Sequence, residues 1–224
     1  MGTITRNFAN NLTTSGLLKA AAFNNDSFDN VTSVPSGSVE TGAMVFIKKL
    51  TASSSATLSF VDGTDGVVLD DTYKEYYFTL NNVHPQNTDQ NFGINFSTDG
   101  GSNYNVVKTG TFFRAYHGEG DSPATLEYGT GGGLAQGTGL QLIANGVRND
   151  NDSGVSGYLH LFNPSSTTFV KHFISVTNCH QDNVQSINSF VAGYGNTTSA
   201  INGVLFQMPS GNIDSGDICL YGIA

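Results

Sequence analysis

From Ala43 onward, apolar residues recur at every second position or in short runs, and clusters of Gly, Asn, Asp and Ser separate these stretches. Side chains of an extended chain alternate between two faces, so this rhythm specifies strands, and the clusters specify the turns between them. Residues 43–50 (AMVFIKKL) and 56–61 (ATLSFV) come first, followed by the turn 62–66 (DGTDG). Tyr76, Phe78 and Leu80 share one face of the next strand, and Phe92, Ile94 and Phe96 share one face of the strand after it. A strand over 111–116 leads into a Gly-rich stretch, 118–139, that reads as a long functional or mobile loop. Strand character resumes at 140–144. Residues 157–162 (GYLHLF) and 169–176 (FVKHFISV) are apolar on both faces and flank Asn163-Pro164-Ser165-Ser166, as in a hairpin at the centre of a sheet. A strand over 187–192 and the C-terminal segment complete a count of about ten strands.

The C-terminal segment, 203–224, places Val204, Phe206 and Met208 on one face, and 218–223 is apolar on both faces apart from Gly222. A chain end this apolar must be covered, so it reads as a central strand. Ile218 and Leu220 then face away from Cys219 and Tyr221. Val204, Phe206, Met208, Ile218, Leu220 and Tyr221 form a candidate core or assembly hairpin, with 204–208 as the partner of the final strand.

So many short strands predict an all-β fold built as a two-sheet β-sandwich, with a jelly roll as first choice, because a flat open sheet of this size leaves a face and two edges unprotected. An immunoglobulin-like domain fits less well, since the chain is about twice the usual length and has no Trp to anchor such a core. The 27 Gly residues suit turns rather than helices, and 15 Phe with 9 Tyr supply more apolar area than a disordered chain carries. The expected organisation is a single sandwich domain over 36–224, preceded by an arm or attachment segment over 1–35. The Asn-rich start either orders against a partner or packs along the domain, and both readings stand at this point.

Charge excludes one partner class. The net charge is −9, and the few Lys and Arg form no cluster beyond Lys48 and Lys49. Phosphate backbones need converging cations, so nucleic acid is not an expected partner. No apolar run approaches membrane-span length and the first residues lack a secretory h-region, so membrane insertion is not expected and folding in the cytosol is. Cys179 and Cys219 are too few for a disulfide scaffold, and buried free thiols are the simpler of their two readings.

No motif announces catalysis. The histidines at 84, 117, 160, 172 and 180 fall outside any Gly-x-Ser-x-Gly, His-Glu-x-x-His or phosphate-loop pattern, and no paired carboxylates stand at glycosidase spacing, so the chain is expected to have no enzymatic activity and no cofactor. Asp62, Asp65, Asp70 and Asp71, or Glu119 and Asp121, offer oxygen ligands to calcium, but Asp and Gly are also the ordinary residues of tight turns, and no metal site is expected. The Asn-x-Ser/Thr sequons are those that an Asn-, Ser- and Thr-rich chain contains by composition.

Four blocks carry a family likeness. Residues 73–85 (YKEYYFTLNNVHP), 96–104 (FSTDGGSNY), 157–175 (GYLHLFNPSSTTFVKHFIS) and the terminal SGNIDSGDICLYGI resemble virion structural proteins of tailed bacteriophages, especially those common in marine phages. The likeness lies in the order of blocks along about two thirds of the chain, and it leaves out the first forty residues and the Gly-rich middle. It implies a non-enzymatic virion component, a capsid decoration, head fibre or tail-fibre-like protein, assembled in the bacterial host cytoplasm. Its partners would be other capsid or tail proteins and itself. Strands apolar on both faces offer more surface than one sandwich covers, which leads us to expect a homotrimer. The alternative is a module that binds host-surface carbohydrate through loop aromatics, with Tyr116, Tyr128 and Tyr194, each close to Gly, as candidate contacts.

Overall fold

The computed structural model describes residues 43–181 and 184–224. The proposed arm over 1–35 lies outside the described residues. The period-2 stretches become β1 (Met44–Thr51), β2 (Leu58–Val61), β3 (Glu75–Pro85), β4 (Gln90–Ser97) and β5 (Lys108–Gly118). They continue as β6 (Ala124–Tyr128), β7 (Leu134–Gly137), β8 (Gln141–Val147), β9 (Val155–Phe162), β10 (Lys171–Gln181), β11 (Gln185–Gly195), β12 (Gly203–Gln207) and β13 (Ile213–Ile223). No helix occurs among the described residues.

The fold is all-β, as expected, but it forms one antiparallel sheet of 13 strands, nearly closed into a barrel, rather than two separate sheets of about ten strands in all. One run of the sheet is ordered β1-β13-β3-β9-β10-β11-β5, with β6 and β7 side by side in sequence along the free edge of β5. The other run is β8-β4-β12-β2. Among the described residues, one ladder pair, Gln181 with Val147, joins the two runs through β10 and β8, with Arg148 N donating to His180 O beside it at 3.2 Å.

Two strands that the sequence reading did not place, β6 and β7, come from the Gly-rich stretch read as a loop. Its glycines have a packing purpose. Cβ atoms built on Gly129 or Gly132 would come within 2.5 Å of the Phe112 ring, and Gly129 N donates to Phe112 O at 2.8 Å. Only a backbone without side chains can lie this close to an aromatic face, so residues 129–133 clasp Phe112, which is 1% exposed. Strand pairing on either side of the clasp holds it against β5.

Aromatic rings fill the core. Phe206 of β12 lies 5.5 Å from Phe78 of β3, 6.0 Å from Phe92 of β4 and 6.1 Å from Phe60 of β2 (centroids). Phe96 of β4 meets Phe173 of β10 at 5.5 Å. These contacts press the short run face-on against the long one, and each fully buried ring contributes about 1.5–3 kcal/mol by leaving water.

The C-terminal strand is central, as its composition demands, with β1 on one edge and β3 on the other. Ile218 and Leu220 point inward at 0% exposure, while Tyr221 lies on the opposite face against Phe46. The expected hairpin with 204–208 does not form. Both edges of β12 are already paired, with β2 and β4, so Val204, Phe206 and Met208 enter the core from the other run.

The turn after β4 shows how small polar residues fix a reversal. Ser97 Oγ donates to Asp99 Oδ1 at 2.7 Å, and Asn103 donates to the same carboxylate through its backbone N and its Nδ2, both at 2.8 Å. These bonds, the Asn103 side chain first, hold the Asp99 carboxyl down to about 2.

Candidate functional site

Alternation in β10 sends Phe173, Ser175, Thr177 and Cys179 inward and His172, Ile174, Val176 and Asn178 outward. Register carries that outward face across the whole long run. Phe46, Tyr221, Tyr77, His160, Ile174, Ala192 and Thr111 are successive cross-strand neighbours on seven strands. An adjacent row holds Tyr158, Val176, Phe190 and Phe113. Instead of the polar coat usual on a solvated sheet face, this face carries paired rings. Tyr77 stacks on Tyr158 at 5.0 Å, Phe113 stacks on Phe190 at 5.0 Å, and His160 meets Phe162 at 4.0 Å.

This face is not sealed from solvent. Phe46 is 58% exposed, Ile174 44% and Phe113 42%. Ile174 and Ala192 form a ridge between two apolar hollows. One hollow, of about 470 Å³, is walled by Phe162, His172 and Tyr194, and the other, of about 220 Å³, by Phe113, Val176 and Phe190. Exposed apolar surface that runs continuously rather than in scattered residues marks an interaction face. At its β3 side, His160 Nε2 lies 2.9 Å from Glu75 Oε2, a polar margin to the patch.

A polar cleft of about 380 Å³ opens beside the glycine clasp. Arg114 donates from Nε and Nη2 to Glu127 Oε1 at 2.8 and 2.6 Å, and from Nη1 to Asn145 Oδ1. Asn145 Nδ2 in turn donates to Asn91 Oδ1 at 3.0 Å. Charge-assisted bonds of this kind fix the side chains before any ligand arrives. Tyr128 and the clasp residues 129–132 complete the wall.

The three candidate tyrosines do not converge. Tyr116 is half-buried, and the Arg114 guanidinium sits 5.4 Å from its ring. Tyr128, 56% exposed, lines the polar cleft. Tyr194 lies on the outer face against His172, 6.1 Å away. The acidic turn residues serve the backbone: Asp62 Oδ1 accepts from Leu69 N and Asp70 Oδ1 from Thr72 N, both at 2.8 Å. No group of three or more metal-ligating side chains gathers among the described residues. Cys179 and Cys219 are both free and buried, and burial pushes the Cys179 thiol up to about 11.

Two buried cations were not singled out from the sequence. Lys108 and Lys171 are each 0% exposed, on neighbouring inward positions that flank Gly195 across three strands. Lys171 Nζ donates to the carbonyls of Phe169 and Thr197 at 2.7 and 3.1 Å. Lys108 Nζ donates to Asn95 Oδ1 at 2.5 Å and Val106 O at 2.9 Å, and burial pulls its ammonium down to about 8. Strand alternation was the available signal, since Lys108 shares a face with Phe112 and Lys171 with Phe173. No family model, curated protein or solved structure matches this chain.

Proposed function

We propose that this chain is a non-enzymatic structural component of a tailed-bacteriophage virion, a capsid decoration, head fibre or tail-fibre-like protein, assembled as a homotrimer in the host cytoplasm and displayed on the particle. The observation that carries the reading is the cross-strand row of mostly apolar and aromatic side chains over seven strands, half-buried to exposed, with Phe46, Ile174 and the neighbouring Phe113 the most open to solvent. Three copies arranged about a threefold axis would cover this face, with the Ile174 ridge of one copy entering a neighbour's hollow. The block likeness in the sequence supplies the virion context, and the attachment partners are other capsid or tail proteins. The ring contacts of Phe78 with Phe60 and Phe206 support treating the two runs of the sheet as the layers of a β-sandwich of jelly-roll type. Light scattering on the purified chain tests the assembly, with a trimer expected and a micromolar monomer counting against it. Density for this chain in a reconstruction of the intact particle tests the location.

The polar cleft favours a second reading, a module that binds host-surface carbohydrate. Tyr128 offers a ring face beside a preorganised Arg114–Glu127–Asn145 set, a combination of apolar platform and fixed donors and acceptors that suits a polyhydroxyl ligand. Glycan-array binding by the isolated protein, lost in Tyr128→Ala, supports this reading; absence of binding across the array removes it.

A further inference from the structure

We propose that Lys108 and Asn95 condense into an intramolecular isopeptide bond that ties β5 to β4. The two side chains are buried, at 0% and 6% exposure, and Lys108 Nζ lies 2.5 Å from the Asn95 amide oxygen. That oxygen also accepts from Phe96 N at 2.9 Å, a backbone donor that stays in place to hold negative charge on it as the amine turns from Oδ1 to Cγ. Asn95 Nδ2 donates to Thr138 O at 2.9 Å, which fixes which amide atom faces the lysine and which one leaves. Permanent juxtaposition of amine and amide replaces a bimolecular encounter and so removes the entropic part of the barrier to amide exchange.

The balance needs no outside reagent. The neutral ε-amine attacks Cγ of Asn95, and a C–N bond forms as the carbonyl π pair moves onto Oδ1. A proton passes from Nζ to Nδ2, the tetrahedral centre collapses, and the Cγ–Nδ2 bond breaks to release ammonia. The extra proton of an initially charged lysine leaves with the ammonia as ammonium. Burial supplies the reactive form, because an amine pulled down to about 8 is partly neutral near neutral pH.

Denaturing mass spectrometry of the full chain tests the bond directly. The expected mass is that of the sequence less one ammonia, in protein kept folded at pH 9 if not already in fresh protein. Trypsin should fail to cut after Lys108 and release one peptide spanning 75–114, lighter by one ammonia and lacking backbone fragments between 95 and 108. Lys108→Arg and Asn95→Ala should each restore the full mass. Succinimide formation at Asn145-Gly146 or Asn202-Gly203 also loses ammonia, but it maps to those sites and persists in Lys108→Arg. An unmodified mass after prolonged folded incubation at pH 9, or a loss mapped only to those Asn-Gly sites, overturns the proposal.

Discussion

If the outer face is the trimer interface proposed above, Ile174 is the point at which self-association breaks with least harm to the fold. It stands on the ridge of the outer face, 44% exposed, with its Cα neighbours His160 and Ala192 on the flanking strands. Full burial of an isoleucine is worth about 1.5–3 kcal/mol, so covering the exposed fraction contributes about 1 kcal/mol per copy. Ile174→Thr keeps a β-branched side chain in the strand and removes most of that gain. Three copies per trimer lose about 3 kcal/mol together, roughly a hundredfold in the assembly constant. Ile174→Asp goes further, since it would place an unpaired carboxylate in the interface, and it should leave monomers throughout the micromolar range. Light scattering across a dilution series reads the assembly. Urea unfolding, carried out where the protein is monomeric, reads the fold, and the Ile174→Thr midpoint there should move only slightly. An unaltered chain that is monomeric, or an oligomer that Ile174→Asp leaves intact, would refute the assignment of this face.

Other perturbations probe the remaining features. Gly132→Ala drives a Cβ to within 2.9 Å of three Phe112 ring atoms and should cost about 1–3 kcal/mol by urea denaturation, whereas Gly131→Ala, with open space around its Cβ, should cost much less. Asn145→Ala removes the link between Arg114 and Asn91, and glycan affinity, where it exists, should fall about tenfold while circular dichroism stays unchanged. Asp99 has a folded-state carboxyl held below its unfolded value, so its contribution is complete above about pH 4 and disappears as pH falls toward about 2. Asp99→Asn should therefore flatten the acid limb of a stability profile in that window, as followed by thermal melts.

The strands were legible in the sequence because alternation is written in residue type and does not depend on partners. Phe78, Phe92 and Phe206 lie inward where period-2 counting puts them. Pairing was less legible, since a strand apolar on both faces, such as 218–223, announces that it is central without naming its neighbours. Proximity along the chain suggested 204–208, whereas β1 and β3, far away in sequence, took both edges. The Gly-rich middle was misread because glycine signals a loop and a close approach with the same letter, and the ring it approaches, Phe112, sits 17 residues or more before the clasp begins to curl over it at Gly129. Of the candidate site, Tyr128 was visible as an aromatic beside Gly, but Arg114, Glu127, Asn145 and Asn91 come together only through tertiary pairing.

The lone rung between β10 and β8 sets the mechanics of the molecule. Within each run, strands are laced by ladders whose hydrogen bonds load in parallel, so shearing one strand past another must break many bonds together. Across the seam there is one ladder pair, and cohesion there comes from rings such as Phe78 over Phe206 and Phe96 over Phe173 together with separate polar links, Arg114 to Asn145 and Lys108 to Asn95 among them. Each run is thus laced continuously within itself, and the two are pinned to one another at separate points. A force that shears the runs past one another meets those links one after another, whereas a force within a run meets a whole ladder at once.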